Sequence, residues 1–315
     1  MKNLYIKSIL VCSLFITHNT LIAGELSQDH VVFDLTQLSR DSDVDINYLY
    51  DNNGTVNSPG DDTVLATTGN FNDDADVGYR LSGSKKLSGS WSINLGIMSA
   101  EMESTDLFSD ATGQLEIFRN PLTTNFDAAH SVQAVYSSEL SSEEVNAVYQ
   151  YSDNVDFIVG LGHLSLDESF KIISDDTAFS GVGRYTINTS NDMSGVHAGV
   201  ALSHKTTEDF GFFLVGKVGW YNNDTKQNQQ VTDLSFTRNN TGSSSESSTV
   251  YDLRLGVNYY FTRQFVMNLA YQTINISNVA LASSHFNTTQ FGSDAVNSSD
   301  DINWDGLNLG VSYIF

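Results

Sequence analysis

Cysteine is all but missing from this chain. Cys12 is the only one, and it lies inside an apolar run near the N-terminus. A disulfide framework, thiolate metal sites and a thiol nucleophile are therefore excluded from everything that follows. Proline is nearly as scarce: Pro59 and Pro121 are the only two, both in segments read as loops. Proline cannot donate to a strand ladder, so its absence elsewhere leaves long paired strands open to the chain. No run reaches eighteen consecutive apolar residues, which excludes a helical membrane anchor. Basic residues are few: 15 Lys and Arg face 38 Asp and Glu, a formal net charge of −23. Such a surface repels nucleic acid and anionic lipid.

What is present begins with an export pattern. Lys2 and Lys7 precede an apolar run at residues 8–17, and Leu21-Ile22-Ala23 offers a cleavage site after Ala23. Residues 1–23 thus look like a secretory signal peptide, with 24–315 as one domain. Ile9-Leu10-Val11-Cys12 lacks the small residues of a lipoprotein processing site. Tyr (14), Phe (18) and Gly (23) are abundant. An exported chain without disulfides must draw its stability from a large hydrogen-bonded or packed structure.

The rest of the chain alternates. Leu307, Leu309, Val311, Tyr313 and Phe315 take every second position, with Asn308, Gly310 and Ser312 between them. That is a strand with one apolar and one polar face. Similar runs flank short turns at Ser82–Gly89, Ser152-Asp153-Asn154, His204–Asp209 and Thr262-Arg263-Gln264. Long polar connections at 103–130, 167–182, 222–248 and 278–299 separate these hairpins. Short turns at one end and long loops at the other are the organisation of a transmembrane antiparallel β-barrel, all-β and up-and-down, with short periplasmic turns and long extracellular loops. A soluble sandwich has no reason to segregate loop length in this way. Phe212 to Trp220 covers about 27 Å at ~3.4 Å per residue. Tilted by ~40°, it spans roughly 20 Å of membrane normal.

We count about ten strands, near 28–38, 71–82, 90–102, 131–151, 155–168, 183–203, 211–222, 248–262, 265–277 and 300–315. Twelve is the alternative count, with Val44-Ile46-Tyr48-Tyr50 and Leu115–Ile117 as the added strands. Tyr151, Phe157, Phe210, Phe212, Tyr260, Phe265, Tyr313 and Phe315 are expected in one interfacial girdle. Trp304 has the parity opposite to Tyr313 unless a bulge intervenes.

The closing strand resembles the assembly signal of bacterial outer-membrane barrels. That resemblance gives Leu307, Leu309, Val311, Tyr313 and Phe315 a role in assembly and implies the outer membrane of a Gram-negative bacterium. The partners it implies are outer-membrane lipid, the barrel-assembly machinery and periplasmic chaperones. Three further segments, in order, are similar to the beta-barrel porin-7 family: Gly160–Glu168, Tyr185–Asp192 with Gly195 and Gly199, and Tyr271–Ile274 with Val279–Ala282. The family places Arg and an aromatic where this chain has Gly162 and His163. Its resemblance implies a barrel-forming, porin-like protein and carries over no catalytic or binding residue.

Chemistry in the motifs is sparse, and neither an enzyme nor a cofactor is expected. Gly211 to Lys217 has phosphate-loop spacing, but Val218 stands where Ser or Thr is needed and the segment reads as a strand. Asp41-Ser42-Asp43-Val44-Asp45 begins like a calcium loop, yet Ile46 stands at the glycine position. The carboxylates of Asp41, Asp43, Asp45, Asp61, Asp62, Asp73, Asp74, Asp175, Asp176, Asp300 and Asp301 read as a solvated outer face, with divalent cations at the acidic loops as the functional alternative. No G-x-S-x-G elbow occurs, and the spacing of His130, His163, His197, His204 and His285 pairs none with a nucleophile. Alternation turns Asp76, Arg80, Asn94, His197, Lys217, Asp252, Arg254, Asn258, Asn268, Gln272 and Asn308 into the lumen. These residues either fill it with salt bridges or line a narrow wet passage. The leading expectation is porin-like passive passage of small hydrophilic solutes. The alternative is a non-conducting surface barrel, adhesive or structural, whose acidic loops bind partners.

Overall fold

The computed structural model describes residues 28–51, 62–71, 75–112, 114–117, 129–176, 181–233, 236–286 and 295–315. The signal-like segment 1–23, both prolines, Asp61, Asp73 and Asp74 lie outside the described residues. Thirteen strands are described. They are β1 (His30–Ser42), β2 (Asn47–Asp51), β3 (Thr63–Thr67), β4 (Ala75–Ser88), β5 (Trp91–Ser109), β6 (Leu115–Glu116) and β7 (Ser131–Ser152), then β8 (Val155–Asp176), β9 (Gly181–Lys205), β10 (Phe210–Asp233), β11 (Phe236–Tyr260), β12 (Phe265–Val279) and β13 (Asp300–Ile314).

Ten of them close into one antiparallel barrel, β1-β13-β12-β11-β10-β9-β8-β7-β5-β4. The closing pair is β1 with β13, in unbroken register from His30–Ile314 to Ser42–Ile302. Both ends of the described chain therefore stand at the end of the short turns. Closure removes every sheet edge from the lipid, which is what a membrane demands of strands.

The outer surface shows where the membrane lies. Phe33, Leu35, Val145, Phe157, Val159, Leu161, Phe212, Leu255, Leu269, Leu307, Leu309 and Val311 all point outward and are exposed. A ring of aromatic pairs borders this band on the short-turn side. Trp91 and Tyr149, Phe210 and Tyr259, and Phe265 and Tyr313 each have ring centroids 5.0 Å apart, and Tyr313 and Phe315 lie 4.9 Å apart. Exposed Tyr79, Trp220, Tyr251 and Tyr271 border it on the other side. An outward apolar band between two aromatic girdles marks an outer-membrane barrel, and the outer membrane is where this chain resides. Tyr260 departs from the expected girdle: it packs under the Lys205 ammonium, 4.5 Å from its ring centroid, on the lumen-side parity.

The strand number agrees with the count of ten, and the loops differ. Two of the expected long connections, 167–182 and 222–248, are largely strand, and 103–130 is strand at its start. β5 continues to Ser109, β8 to Asp176 with β9 resuming at Gly181, and β10 to Asp233 with β11 resuming at Phe236. Above the membrane the outward positions are mostly polar or charged, as in Asn222, Asp224, Lys226 and Asn228 of β10 and Glu101 and Glu103 of β5, so the apolar alternation fades while the ladder persists. Asp224–Ser245 and Gln230–Asn239 are still directly paired. At the opposite end, β4 runs through the expected turn at Ser82–Gly89 and reverses only at Gly89, where φ is 58°. The two segments behind the twelve-strand alternative do form strands, but in a separate three-stranded sheet, β3-β2-β6.

The barrel is lopsided as a result. β5 and β7–β11 run 19 to 25 residues, whereas β12, β13, β1 and β4 run 13 to 15. Six strands form a tall wall and four a short one. The two connections of the short wall turn inward against the tall wall where they are described, at residues 43–51 and 62–71 and at 280–286. The second of these turns at Asn278, the only non-glycine residue with positive φ (56°) among the described residues, beside a register shift between Ile276 and Val279. Asn tolerates this left-handed conformation better than most residues. Its amide Nδ2 donates to the Ser247 carbonyl, and its own carbonyl accepts from Ser248 Oγ and Asn223 Nδ2.

Candidate functional site

The lumen is the candidate site, and it divides into two levels. The upper level is an apolar core. Leu38, Met102, Tyr136, Leu166, Ile187, Val250, Ile274 and Trp304 project inward from strands all round the barrel. Tyr48, Leu49, Phe71, Leu281, Ala282 and Phe286 from the inward loops meet them, and nearly all are fully buried. Rings continue the contact: Phe71 stacks on Tyr136 with centroids 5.6 Å apart, and Phe170 meets Phe286 edge-on at 5.7 Å. Trp304 keeps the parity read from the sequence, without a bulge, and is fully buried inside.

One buried carboxylate ties this plug together. Glu168 Oε1 accepts from Arg40 Nε at 3.2 Å and Ser138 Oγ at 3.0 Å. Its Oε2 accepts from Tyr136 Oη at 2.6 Å and from the loop amide of Ala282 at 3.0 Å. Arg40 comes from β1 and Glu168 from β8, so the ion pair crosses the lumen; its two side chains are 1% and 0% exposed. Asn191 holds the same loop by pairing with Ala280 as a strand would. Its Oδ1 accepts from the Ala280 N–H at 2.8 Å, and its Nδ2 donates to the Ala280 carbonyl at 2.9 Å. His285 closes the loop on itself. Its Nδ1–H donates to the Leu281 carbonyl at 2.7 Å, and Nε2 accepts from the Asn297 N–H at 2.9 Å. Burial lowers the His285 pKa, which favours that neutral tautomer. Tyr48, in the other inward loop, has its phenol pushed up by burial and beside Asp106, to which its hydroxyl donates at 3.1 Å.

The lower level is ionic. Lys217 Nζ lies 2.7 Å from Glu144 and 3.0 Å from Asp252. Arg254 pairs with Asp34 at 2.9 Å and donates to Asn268 Oδ1 at 3.0 Å. Gln272 donates to Asp252, and Asn308 to Gln272. His197 Nε2 lies 2.5 Å from Asn146 Oδ1, and Asn146 donates to Asn94. A cavity of about 110 Å³ remains among these groups, with Arg80, Lys217 and Asp252 in its wall.

Alternation thus brings Arg80, Asn94, His197, Lys217, Asp252, Arg254, Asn268, Gln272 and Asn308 together. Asp76 does not join them. It is exposed at the upper end of β4, above the last β4–β5 pair, Tyr79–Ser99, where the two strands part. The reading from sequence missed Asp34, Glu144 and Tyr221 below, and Arg40, Glu168 and Asn191 above. The parity of Glu144 and Glu168 with buried Val148 and Leu166 was the signal available for two of them.

Gly211 to Lys217 is part of β10, as read. Asp45 Oδ1 accepts from the Gly69 N–H, and among the described residues no three His, Cys, Asp or Glu side chains converge on a metal position. His163 does meet a serine and a carboxylate, on the outer wall. Its Nδ1 is 3.1 Å from Ser194 Oγ and 3.6 Å from Asp192 Oδ1. Both approach the same ring nitrogen, whereas a relay uses one nitrogen for each partner.

No protein-family model and no curated protein sequence matches the chain. Solved barrels resemble it in outline. The outer membrane protease OmpT from Escherichia coli is 12% identical, over 94% of this chain and 99% of that one, with a TM-score of 0.49. The translocator domain of the autotransporter NalP from Neisseria meningitidis is 10% identical over 99% and 95%, at 0.43. The P. putida toluene transporter TodX is 9% identical over 93% and 91%, at 0.40. At these scores the likeness carries no role across. The similarity to the porin-7 family rests on its three quoted segments alone.

Proposed function

We propose that the protein is a non-conducting outer-membrane barrel that presents a rigid, loop-closed surface to the cell exterior, in a partner-binding or structural role and without catalysis. One observation carries this reading. Leu49, Phe71, Leu281 and Ala282 come from the inward loops and are fully buried inside the ring of strands. A pore needs water where these side chains pack. The test is planar-bilayer conductance of wild-type protein whose folding is verified by heat-modifiable mobility. Silence is expected, and reproducible conductance steps overturn the reading.

The second reading is porin-like passage of small hydrophilic solutes, with which the porin-7 resemblance agrees. The ionic lower lumen and its cavity of about 110 Å³ favour it. It requires the loop at 280–286 to leave the barrel, so Glu168→Ala should then conduct strongly while the wild type opens only in brief events. In either reading Leu307, Leu309, Val311, Tyr313 and Phe315 present the closing strand to lipid and to the assembly machinery. Phe315→Ala should lower the amount of heat-modifiable barrel in the membrane; normal abundance would remove that role.

A further inference from the structure

The lipid-facing wall is not uniformly convex. A groove of about 680 Å³ crosses β9, β10 and β11 and ends on β12. Its floor is made by two rows of directly paired outward residues, Val200–Gly216–Leu253–Thr273 and Ala198–Val218–Tyr251–Asn275. Neighbouring outward positions carry bulky residues such as Leu214, Trp220 and Leu255, whereas Gly216 and Ala198 keep this floor low. A Cβ built on Gly216 meets only Leu253 Cδ1, at 3.6 Å, so the space above it is open. The groove is continuous with the apolar band, where acyl chains are the surrounding solvent.

The groove itself is apolar and stops at Thr273 and Asn275; the wall just beyond it, on β12 and β13, is polar. Thr273 Oγ1 donates to Asn303 Oδ1 at 2.9 Å, and Asn303 Nδ2 donates to Asp305 Oδ1 at 2.9 Å. The Tyr271 hydroxyl also donates to Asp305. Neither β12 nor β13 contains a Lys or Arg, so no side chain of either strand offers a counter-charge to an anionic head. Apolar floor, amide and hydroxyl groups at the boundary, and a carboxylate beyond them match the order of groups in one lipid molecule.

We infer that a single zwitterionic, amine-headed phospholipid occupies this groove, its acyl chain over Gly216, its ester region at Asn275 and its ammonium toward Asp305. The site depends on the barrel standing in a membrane and not on whether the lumen conducts. Native mass spectrometry of the folded full chain tests it, with delipidated protein titrated with phosphatidylethanolamine or with phosphatidylglycerol of the same chains. Wild-type protein should retain one phosphatidylethanolamine, at least tenfold better than phosphatidylglycerol. Gly216→Ile, which fills the groove, should lose that retention at least tenfold while keeping heat-modifiable mobility. Ala198→Leu, on the same floor, should do the same and guards against a folding defect peculiar to Gly216. Asp305→Asn should bring the two lipids to near-equal retention. Equal retention of both lipids by wild type, or wild-type retention in both filled variants, overturns the proposal. So does a wild-type dimer that the filled variants abolish, because the occupant is then a second copy of the chain.

Discussion

The upper and lower levels of the lumen are lined by the same strands and filled by different means. Above, loop side chains and strand side chains pack as in the core of a water-soluble domain, with one ion pair sealed inside. Below, no described loop enters, and the strands satisfy one another with opposite charges and amides around a small cavity. The difference follows from reach. The inward connections belong to the short wall and fold against the tall wall beside it, so they fill only the upper part of the barrel. A ten-stranded barrel is wider than the eight-stranded kind that side chains alone fill, and it needs either loops or long charged side chains across its middle. This chain uses both, one at each level.

The two levels should respond differently to loss of charge. Glu168→Ala leaves Arg40 and the Ala282 amide buried without their acceptor and should cost about 3–5 kcal/mol, the usual scale for breaking a sealed pair. Urea unfolding in detergent micelles measures it. Arg40→Met with Glu168→Leu should recover most of the loss, because apolar replacement of both partners leaves no stranded charge. If the single and the double variant are equally unstable, the upper level is not the sealed core described. Lys217→Ala leaves Glu144 and Asp252 facing each other below, but these side chains are 16–26% exposed and keep some water. The expected cost is smaller, about 1.5–3 kcal/mol. A loss exceeding that of Glu168→Ala would reverse the comparison.

The turn that sends the loop inward is the next lever. Asn278→Val places a β-branched residue in the left-handed region and should cost roughly 1–2 kcal/mol, whereas Asn278→Gly should come close to wild type. Amide exchange at residues 280–286 reports it, with faster exchange in the Val variant and the lower-lumen strands unchanged. The smallest effect is that of pH. The folded-state pKa of His285 is lowered, so its neutral form stabilises the loop above the ordinary value near 6.5. That contribution is lost as pH falls from there through the lowered folded value. Exchange at 280–286 should therefore quicken on acidification, and His285→Phe should abolish the pH dependence; a dependence that survives would place the titrating group elsewhere.

Much of this molecule was legible before its coordinates. Val311 and Leu309 had to face lipid, and Asp252, Arg254 and Lys217 had to face inward, because a strand offers two sides and hydrocarbon accepts only one chemistry. The loops were misread for a related reason. Between Asn222 and Ser248 neither side borders lipid, so the chain carries no apolar alternation, and only pairing with β9 and within the hairpin keeps it extended.

The sequence by itself determined the antiparallel barrel, a strand number of ten or twelve, its lipid face and the inward parity of charges such as Arg80, Lys217, Asp252 and Arg254, since a period of two is local and survives in any register. The tertiary structure alone decided which inward charges meet and what else shares the lumen with them. Arg40 and Glu168 are 128 positions apart, and Glu168 reaches Ala282 across a further 114. Those distances close only when the sheet does, and nothing in the spacing along the chain says which of the two levels a loop will enter.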